Sequence, residues 1–239
     1  MYKRQLVLCK NEADLLPLKP DLNVLVTGPT ADSLRCLNGG WSYSWQGDLT
    51  DKQNLPHQTV LEALQSKIGT DRCRYEPGVS LDGKVDIEAV IRAAEQVDLI
   101  ILCLGENSYT EFYGNIDDLY LEADQVQLAQ AVAATGKHVV LVLLEGRPRL
   151  ISQFQEQMDA VIVGFLPGNE GGEAVAELLL GEYNPSGRLP ITYPKYPNGL
   201  ITYDHKYPEN LDLQGVPGGF APQFEFGSGM SYTTFEYSK

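Results

Sequence analysis

Positive charge is scarce in this 239-residue chain: 18 Lys+Arg stand against 32 Asp+Glu, a formal net charge of −14. Phosphate binding needs a basic face, so this balance argues against a nucleic-acid partner. The acidic excess itself requires no explanation beyond solubility. Long apolar runs are also missing, and none reaches the ~18 residues of a membrane span. Behind Lys3 and Arg4 the only apolar run is residues 6–9, too short for the core of a signal peptide. Cys9, Cys36, Cys73 and Cys103 are far apart, form no C-x-x-C and do not group with His57, His138 or His205. That spacing predicts neither a disulfide nor a metal site. Cys103, inside an apolar run, reads as a buried thiol. The chain has no G-x-x-x-x-G-K-[ST], no G-x-G-x-x-G behind a strand and no G-x-S-x-G elbow. No phosphate-cradling loop, serine-hydrolase turn or cofactor is therefore expected.

What is present is a core. Hydrophobic residues make up 43% of the chain and charged residues 21%, an ordinary globular balance. Residues 23–27, 98–104, 138–144 and 160–165 are continuous apolar runs of strand length, as strands covered on both faces require. Helical spacing appears at 59–67, 86–97, 122–135 and 171–180, with Asp86 as a start signal and Gly136 and Gly181 as stops. A short strand is expected at 72–75, a helix at 149–158, and later strands at 189–193 and 231–237. The tail from 194 to 229, rich in Pro, Gly, Tyr and Asp, reads as an ordered but irregular wrap. Repeated strand–helix alternation predicts an α/β fold: a mostly parallel sheet of about six strands sandwiched between helices.

In such a sheet, ligands sit beyond the carboxyl ends of the parallel strands. Three exits follow from the strong strands, at residues 105–121, 145–148 and 166–172. The first is about 17 residues long, a length at which a structureless loop is usually functional or disordered. It carries Tyr109, Phe112, Tyr113 and Tyr120, which disorder disfavours, together with Glu106, Glu111, Asp117 and Asp118. Aromatic rings suit the apolar faces of a sugar, and carboxylates are the usual acid and base of glycoside hydrolysis. One loop carboxylate alone is most often a solvated surface charge, and the cluster does not select which of them acts. A second candidate is residues 37–47, where Trp41, Tyr43 and Trp45 lie between glycines. They form either an aromatic platform or a plug for the core.

Several motifs in one order are more specific. They are Lys10-Asn-Glu12 with Leu16-Pro-Leu18, Val26-Thr-Gly-Pro-Thr-Ala-Asp32, Gly39-Gly-Trp-Ser42 with Trp45-Gln-Gly47, and Gly105-Glu-Asn-Ser-Tyr-Thr-Glu111. Gly146-Arg-Pro148, Leu166-Pro-Gly-Asn-Glu-Gly-Gly172, Asn184-Pro-Ser-Gly-Arg-Leu-Pro190 and Phe224-Glu-Phe-Gly-Ser-Gly-Met-Ser-Tyr232 follow. Together they resemble the C-terminal α/β-sandwich domain of glycoside hydrolase family 3, the β-glucosidase-type enzymes, over residues 6–237. Relatives usually carry Leu where Cys9 stands, an exchange between apolar residues that puts nothing in doubt.

The resemblance implies a retaining mechanism shared between two domains. A (β/α)₈ barrel supplies an Asp nucleophile, and the sandwich domain supplies the acid/base Glu from a loop. Carried over by motif, that residue is Glu111. Trp45 flanks the leaving-group subsite, with Trp41 its neighbour and Tyr113 beside it, and Glu106 is a supporting carboxylate. A general acid must hold its proton at working pH, which burial beside Tyr113 and Trp45 and a nearby nucleophile carboxylate would favour. A barrel needs about 200 residues, so it is expected to be missing before residue 6. Residues 1–5 look like the translation of a sequencing adaptor and are read as a non-native start, leaving 6–239 as the domain. The implied partners are a β-linked gluco-oligosaccharide or glucoside and the barrel in cis. The implied location is periplasmic or secreted. The competing readings are a non-catalytic carbohydrate-binding or scaffolding domain and a nucleotide-binding doubly wound domain.

Overall fold

A computed structural model of the chain describes residues 5–19, 21–197 and 221–233. Six strands make one sheet: β1 (Val7–Asn11), β2 (Val24–Thr27), β3 (Cys73–Tyr75), β4 (Leu99–Gly105), β5 (His138–Leu144) and β6 (Ala160–Val163). Their spatial order is β1-β6-β5-β4-β2-β3, and every neighbouring pair is parallel except β1 with β6.

Because side chains alternate across a strand, each apolar run feeds two cores at once. Leu99, Ile101 and Cys103 of β4 pack with Val140, Val142 and Leu144 of β5 on one face. That face is covered by α1 (Leu34–Leu37), α2 (Val60–Ile68) and α5 (Gly171–Leu179), through residues such as Leu64, Val175 and Leu178. Ile100, Leu102 and Leu104 join Val139, Leu141 and Leu143 on the other face, under α3 (Ile87–Ala94) and α4 (Ala123–Ala134). Thr59 and Glu62 form a reciprocal capping box at the start of α2, and the Asp86 side chain caps α3. The cysteines are free; burial pushes the Cys36 thiol up to about 12 and Cys73 to about 11, so both stay neutral.

The α/β class, the four strong strands and the four amphipathic helices are where the sequence places them. Three elements differ. The run at 6–9 opens an edge strand, antiparallel to β6 and bulged between Leu8 and Lys10. The helix expected at 149–158 is absent apart from one 3₁₀ turn at Gln155–Gln157. Leu150 is instead bridged to Tyr120, with its N–H on Leu119 O; beyond it Ile151 O accepts from Phe154 and Gln155 N–H in one turn, which Gln157 and Met158, bonded only three residues back, do not continue as an α-helix. The strand expected at 189–193 is not continuous; Leu189 and Tyr193 pair with residues 224–228, with nothing strand-like between. Of the strand expected at 231–237, residues 231–233 are irregular and 234–237 lie outside the described residues. Most of the expected wrap, residues 198–220, also lies outside them.

The chain leaves β4 through Gly105. Its φ is +152°, and a Cβ built there would lie 1.8 Å from Leu144 O. Only glycine lets β4 and β5 stay paired to their last residues. The 105–121 segment therefore begins at a fixed point, directly against the exit of β5.

Candidate functional site

Glu106 is the first side chain beyond that glycine. It is buried, and its carboxylate accepts from Gly146 N–H at 3.0 Å and Arg149 Nη1 at 2.9 Å. Arg147 Nε donates to it at 3.2 Å. The two arginines in turn hold the far part of the loop. Arg147 Nη1 donates to Gly114 O, Arg149 Nε to Leu119 O at 3.1 Å, and Arg149 Nη2 to Tyr120 O. Arg147 also stacks on Tyr109, its guanidinium carbon 3.9 Å from the ring centre. Burial and the Glu106 charge push the Tyr109 hydroxyl up to about 12, so the ring stays neutral under the cation.

Glu111 lies at the tip of the segment this network supports. It opens a 3₁₀ turn, Glu111–Gly114, and its φ of +53° is left-handed, which a non-glycine residue adopts only at a cost of roughly 1–2 kcal/mol. Such an outlier persists only where neighbours over-determine it. One of these neighbours is Trp45, whose indole Nε1–H donates to Glu111 Oε1 at 3.3 Å. Trp45 meets Tyr113 edge-on at 5.4 Å between ring centres and Phe112 at 6.5 Å, and Phe112 and Tyr113 are 4.4 Å apart. The aromatic loop is thus a platform and not a core plug: Trp41 is 71% exposed and Trp45 40%. Trp41 stands in the same loop, tied by its N–H to Trp45 O at 2.8 Å.

Three expected residues, Glu111, Trp45 and Tyr113, therefore form one exposed cluster, with Trp41 exposed in the loop of Trp45 and Glu106 buried. The burial expected around Glu111 is not supplied by this chain's described residues; Glu111, Phe112 and Tyr113 are all exposed. A cleft of about 970 Å³ lies between Glu106, Arg35, Val85, Tyr113 and the start of α4; of the expected site residues Tyr113 and Glu106 line it, and Glu111, Trp45 and Trp41 do not. Phe112 completes the ring cluster; it stood among the loop's aromatics, but nothing in its spacing marked it out. Arg147 stood in the Gly146-Arg-Pro148 motif with no role attached and Arg149 had no sequence signal, because their partner Glu106 is about forty residues away. No group of three His, Cys, Asp or Glu residues among those described is arranged to hold a metal ion.

A second carboxyl lies deeper. Glu145, at the exit of β5, is fully buried; its Oε1 is 2.7 Å from Tyr193 Oη, and its Oε2 accepts from Arg149 N–H. Burial pushes its carboxyl up to about 8, against the pull of those two contacts. Tyr193 Oη also donates to Arg149 O at 2.8 Å, and one hydroxyl proton serves one acceptor. The network closes when Glu145 is protonated and donates to Tyr193, which donates to Arg149 O. Folding then takes up a proton wherever the unfolded chain has lost it. This stabilisation is complete below the unfolded value near 4.5, and falls by at most ~1.4 kcal/mol per pH unit until about pH 8. Glu145→Gln reproduces the protonated pattern, donating to Tyr193 and accepting from Arg149 N–H. Urea midpoints measured from pH 5 to 8 should decline in the native chain and decline less steeply in Glu145→Gln; equal slopes would refute the assignment.

With the geometry in place, the comparisons give it a context. Residues 6–232 match the family described as "Glycosyl hydrolase family 3 C-terminal domain". The chain is 38% identical over 248 residues to the "Lysosomal beta glucosidase" of Dictyostelium discoideum, covering 99% of this chain and 29% of that protein. It is 32% identical over 263 residues to the "Periplasmic beta-glucosidase" of Salmonella typhimurium, covering 99% of this chain and 34% of that one. The chain therefore spans about a third of the length of these relatives. A crystal structure of a β-glucosidase from Listeria innocua superposes with a TM-score of 0.79 at 28% identity, over 97% of this chain and 32% of that one. That protein has also been solved with glucose and with gluconolactone. No helix among the described residues is long and apolar enough to cross a membrane. An α/β sheet with this strand order, carrying the motif segments at its strand exits and matching over nearly its whole length, belongs to the glycosyl hydrolase family 3 C-terminal domains.

Proposed function

We propose that this chain is the acid/base-supplying domain of a retaining β-glycosidase, with Glu111 as the proton donor. The observation that carries the reading is Glu111 itself. It is a carboxylate on a left-handed residue at the tip of the β4 exit loop, hydrogen-bonded by an indole and flanked by three rings. Glu106, held by both arginines, is the supporting carboxylate of this reading and does not face the substrate. The rings of Trp45, Tyr113 and Trp41 offer apolar faces on which a pyranose stacks.

The partners in this reading are a β-linked gluco-oligosaccharide or glucoside and an N-terminal (β/α)₈ barrel in cis. Residues 6–239 are the domain in this reading. The short coverage of the relatives supports the barrel, and the sugars in the Listeria structures support a glucosyl substrate. In the first step Glu111 protonates the glycosidic oxygen as the C–O bond breaks, while a barrel carboxylate attacks the anomeric carbon. In the second, Glu111 as carboxylate takes a proton from the water that displaces the barrel carboxylate. Docking of the barrel over the open face would exclude water from Glu111. A periplasmic or secreted location belongs to the same proposal, supported by the compartment named for the Salmonella relative.

Chemical rescue tests it. This chain alone should not hydrolyse an aryl β-glucoside. With the barrel present in cis, Glu111→Ala should accumulate the glycosyl-enzyme from an activated glucoside, and azide should release it as a β-glucosyl azide. Azide is already anionic and needs no base. Turnover by the chain alone would overturn the shared-site reading, and absence of azide product would leave the non-catalytic carbohydrate-binding reading in its place.

A further inference from the structure

The loop bearing Glu111 is not held by its own backbone; a second loop grips it. Gln46 Oε1 accepts from Thr110 N–H at 3.0 Å, and Gln46 Nε2 donates to Thr110 O at 3.3 Å. One carboxamide thus serves both polar groups of the residue before Glu111, as a neighbouring strand would. Only one amide orientation does this, because the flipped amide sets donor against donor and acceptor against acceptor. The Gln46 backbone is held as well: Ser108 Oγ donates to Gln46 O at 2.6 Å. Ser108 is itself fixed by Arg35, whose Nε donates to Ser108 Oγ at 3.0 Å and Nη2 to Ser108 O at 3.2 Å. The two loops touch so closely that a Cβ at Gly40 would lie 2.6 Å from Thr110 Cβ.

We propose that Gln46 is a positioning residue for Glu111, setting where the carboxyl stands by clamping the Thr110 peptide. This rests on the acid/base reading of Glu111 and deepens it. Residues 45 and 46 grip residues 111 and 110 in one register, so the indole–carboxylate contact at Glu111 depends on the clamp beside it. Without Gln46, Trp45 is left as a single exposed hydrogen bond holding a residue whose φ is unfavourable. Gln46 touches no reacting atom; it acts through the backbone. Displacing a catalytic group by about 1 Å costs on the order of 10²-fold in rate.

Gln46→Met keeps the length of the side chain and removes both hydrogen bonds. Gln46→Glu keeps the acceptor for Thr110 N–H and sets an oxygen against Thr110 O, and it serves if the Met variant fails to fold. In this chain, amide exchange at Thr110 should be about tenfold faster in Gln46→Met, the worth of one ordinary hydrogen bond. With the barrel in cis, kcat/KM for methyl β-glucoside, whose leaving group needs a proton, should fall about 10²-fold. For 2,4-dinitrophenyl β-glucoside, whose leaving group needs none, it should change by only a few-fold. A structural defect would lower both alike, so equal losses overturn the positioning role. Unchanged Thr110 exchange overturns the clamp. A Glu111→Gln protein with no leaving-group dependence overturns the acid/base reading and the positioning with it, while Thr110 exchange still reports the clamp separately.

Discussion

Glu111→Gln, in the protein with its barrel, should slow the hydrolysis of methyl β-glucoside by about 10²–10⁴-fold, the range that general acid catalysis contributes. The glutamine keeps the shape of the side chain and its contact with the Trp45 indole, so the loop should stay in place. What it lacks is a transferable proton. Methoxide is too poor a leaving group to depart unprotonated, whereas dinitrophenolate departs as the anion. The loss in kcat/KM should therefore shrink steadily as leaving groups improve. kcat for the dinitrophenyl substrate should still fall, because the second step needs the carboxylate as base, and KM should fall with it as the glycosyl-enzyme accumulates. A flat dependence on the leaving group would assign the proton to another residue. Glu106 is a poor candidate, since its carboxylate is committed to two guanidinium groups and two backbone N–H groups.

Glu106→Ala should give the largest loss of stability among the site residues. Its side chain is 9% exposed and that of Arg149 6%. Removing the carboxylate leaves a buried guanidinium with carbonyl partners and only the exposed Glu122 carboxylate, 3.8 Å away, as counter-charge, a defect worth about 3–5 kcal/mol. In a domain of this size that is roughly 6–20 °C in melting temperature. The network also joins the 105–121 loop to the exit of β5, so the Trp45–Phe112–Tyr113 cluster should loosen, visible as a change in indole fluorescence. Glu106→Gln, which keeps the shape and part of the hydrogen bonding, should cost less. A Glu106→Met/Arg149→Met double variant should recover part of the loss, because the more deeply buried guanidinium goes with its counter-charge, leaving only Arg147, which is 22% exposed and still bonded to Gly114 O. An unchanged melting temperature in Glu106→Ala would show that solvent reaches the arginines.

The legible part of the fold was its interior. Residues 99–104, 139–144 and 160–163 are buried on both faces, so burial itself writes an uninterrupted apolar run. Edges carry weaker marks. β1 continues through Lys10 and Asn11, half-buried polar residues on the rim of the sheet, so only its first residues look like a strand. The helix expected at 149–158 gave way because Leu150 is held extended in a bridge to Tyr120, with its N–H on Leu119 O, a contact far outside any local window. Around the site, the length of the 105–121 loop and its carboxylates and rings pointed to a sugar, and motif resemblance alone singled out Glu111.

Read as a chain of residues, the protein already declares an acidic α/β domain, a sheet covered on both faces, and a carboxylate-and-aromatic loop at the exit of the 98–104 strand. These follow from composition and period, which report how each residue meets its nearest neighbours and the core. Three features needed the tertiary structure. The tryptophans could equally have plugged the core, and their exposure made them a platform. Glu106, Glu111 and Glu145 are chemically one residue type, yet one is buried between arginines, one is exposed under an indole and one is sealed with a tyrosine. Gln46 looked like the middle of a motif until folding laid it across Thr110, 64 residues away. What a carboxyl or an amide does depends on dielectric and on partners a few ångströms off, and only chain crossings distant in sequence decide either.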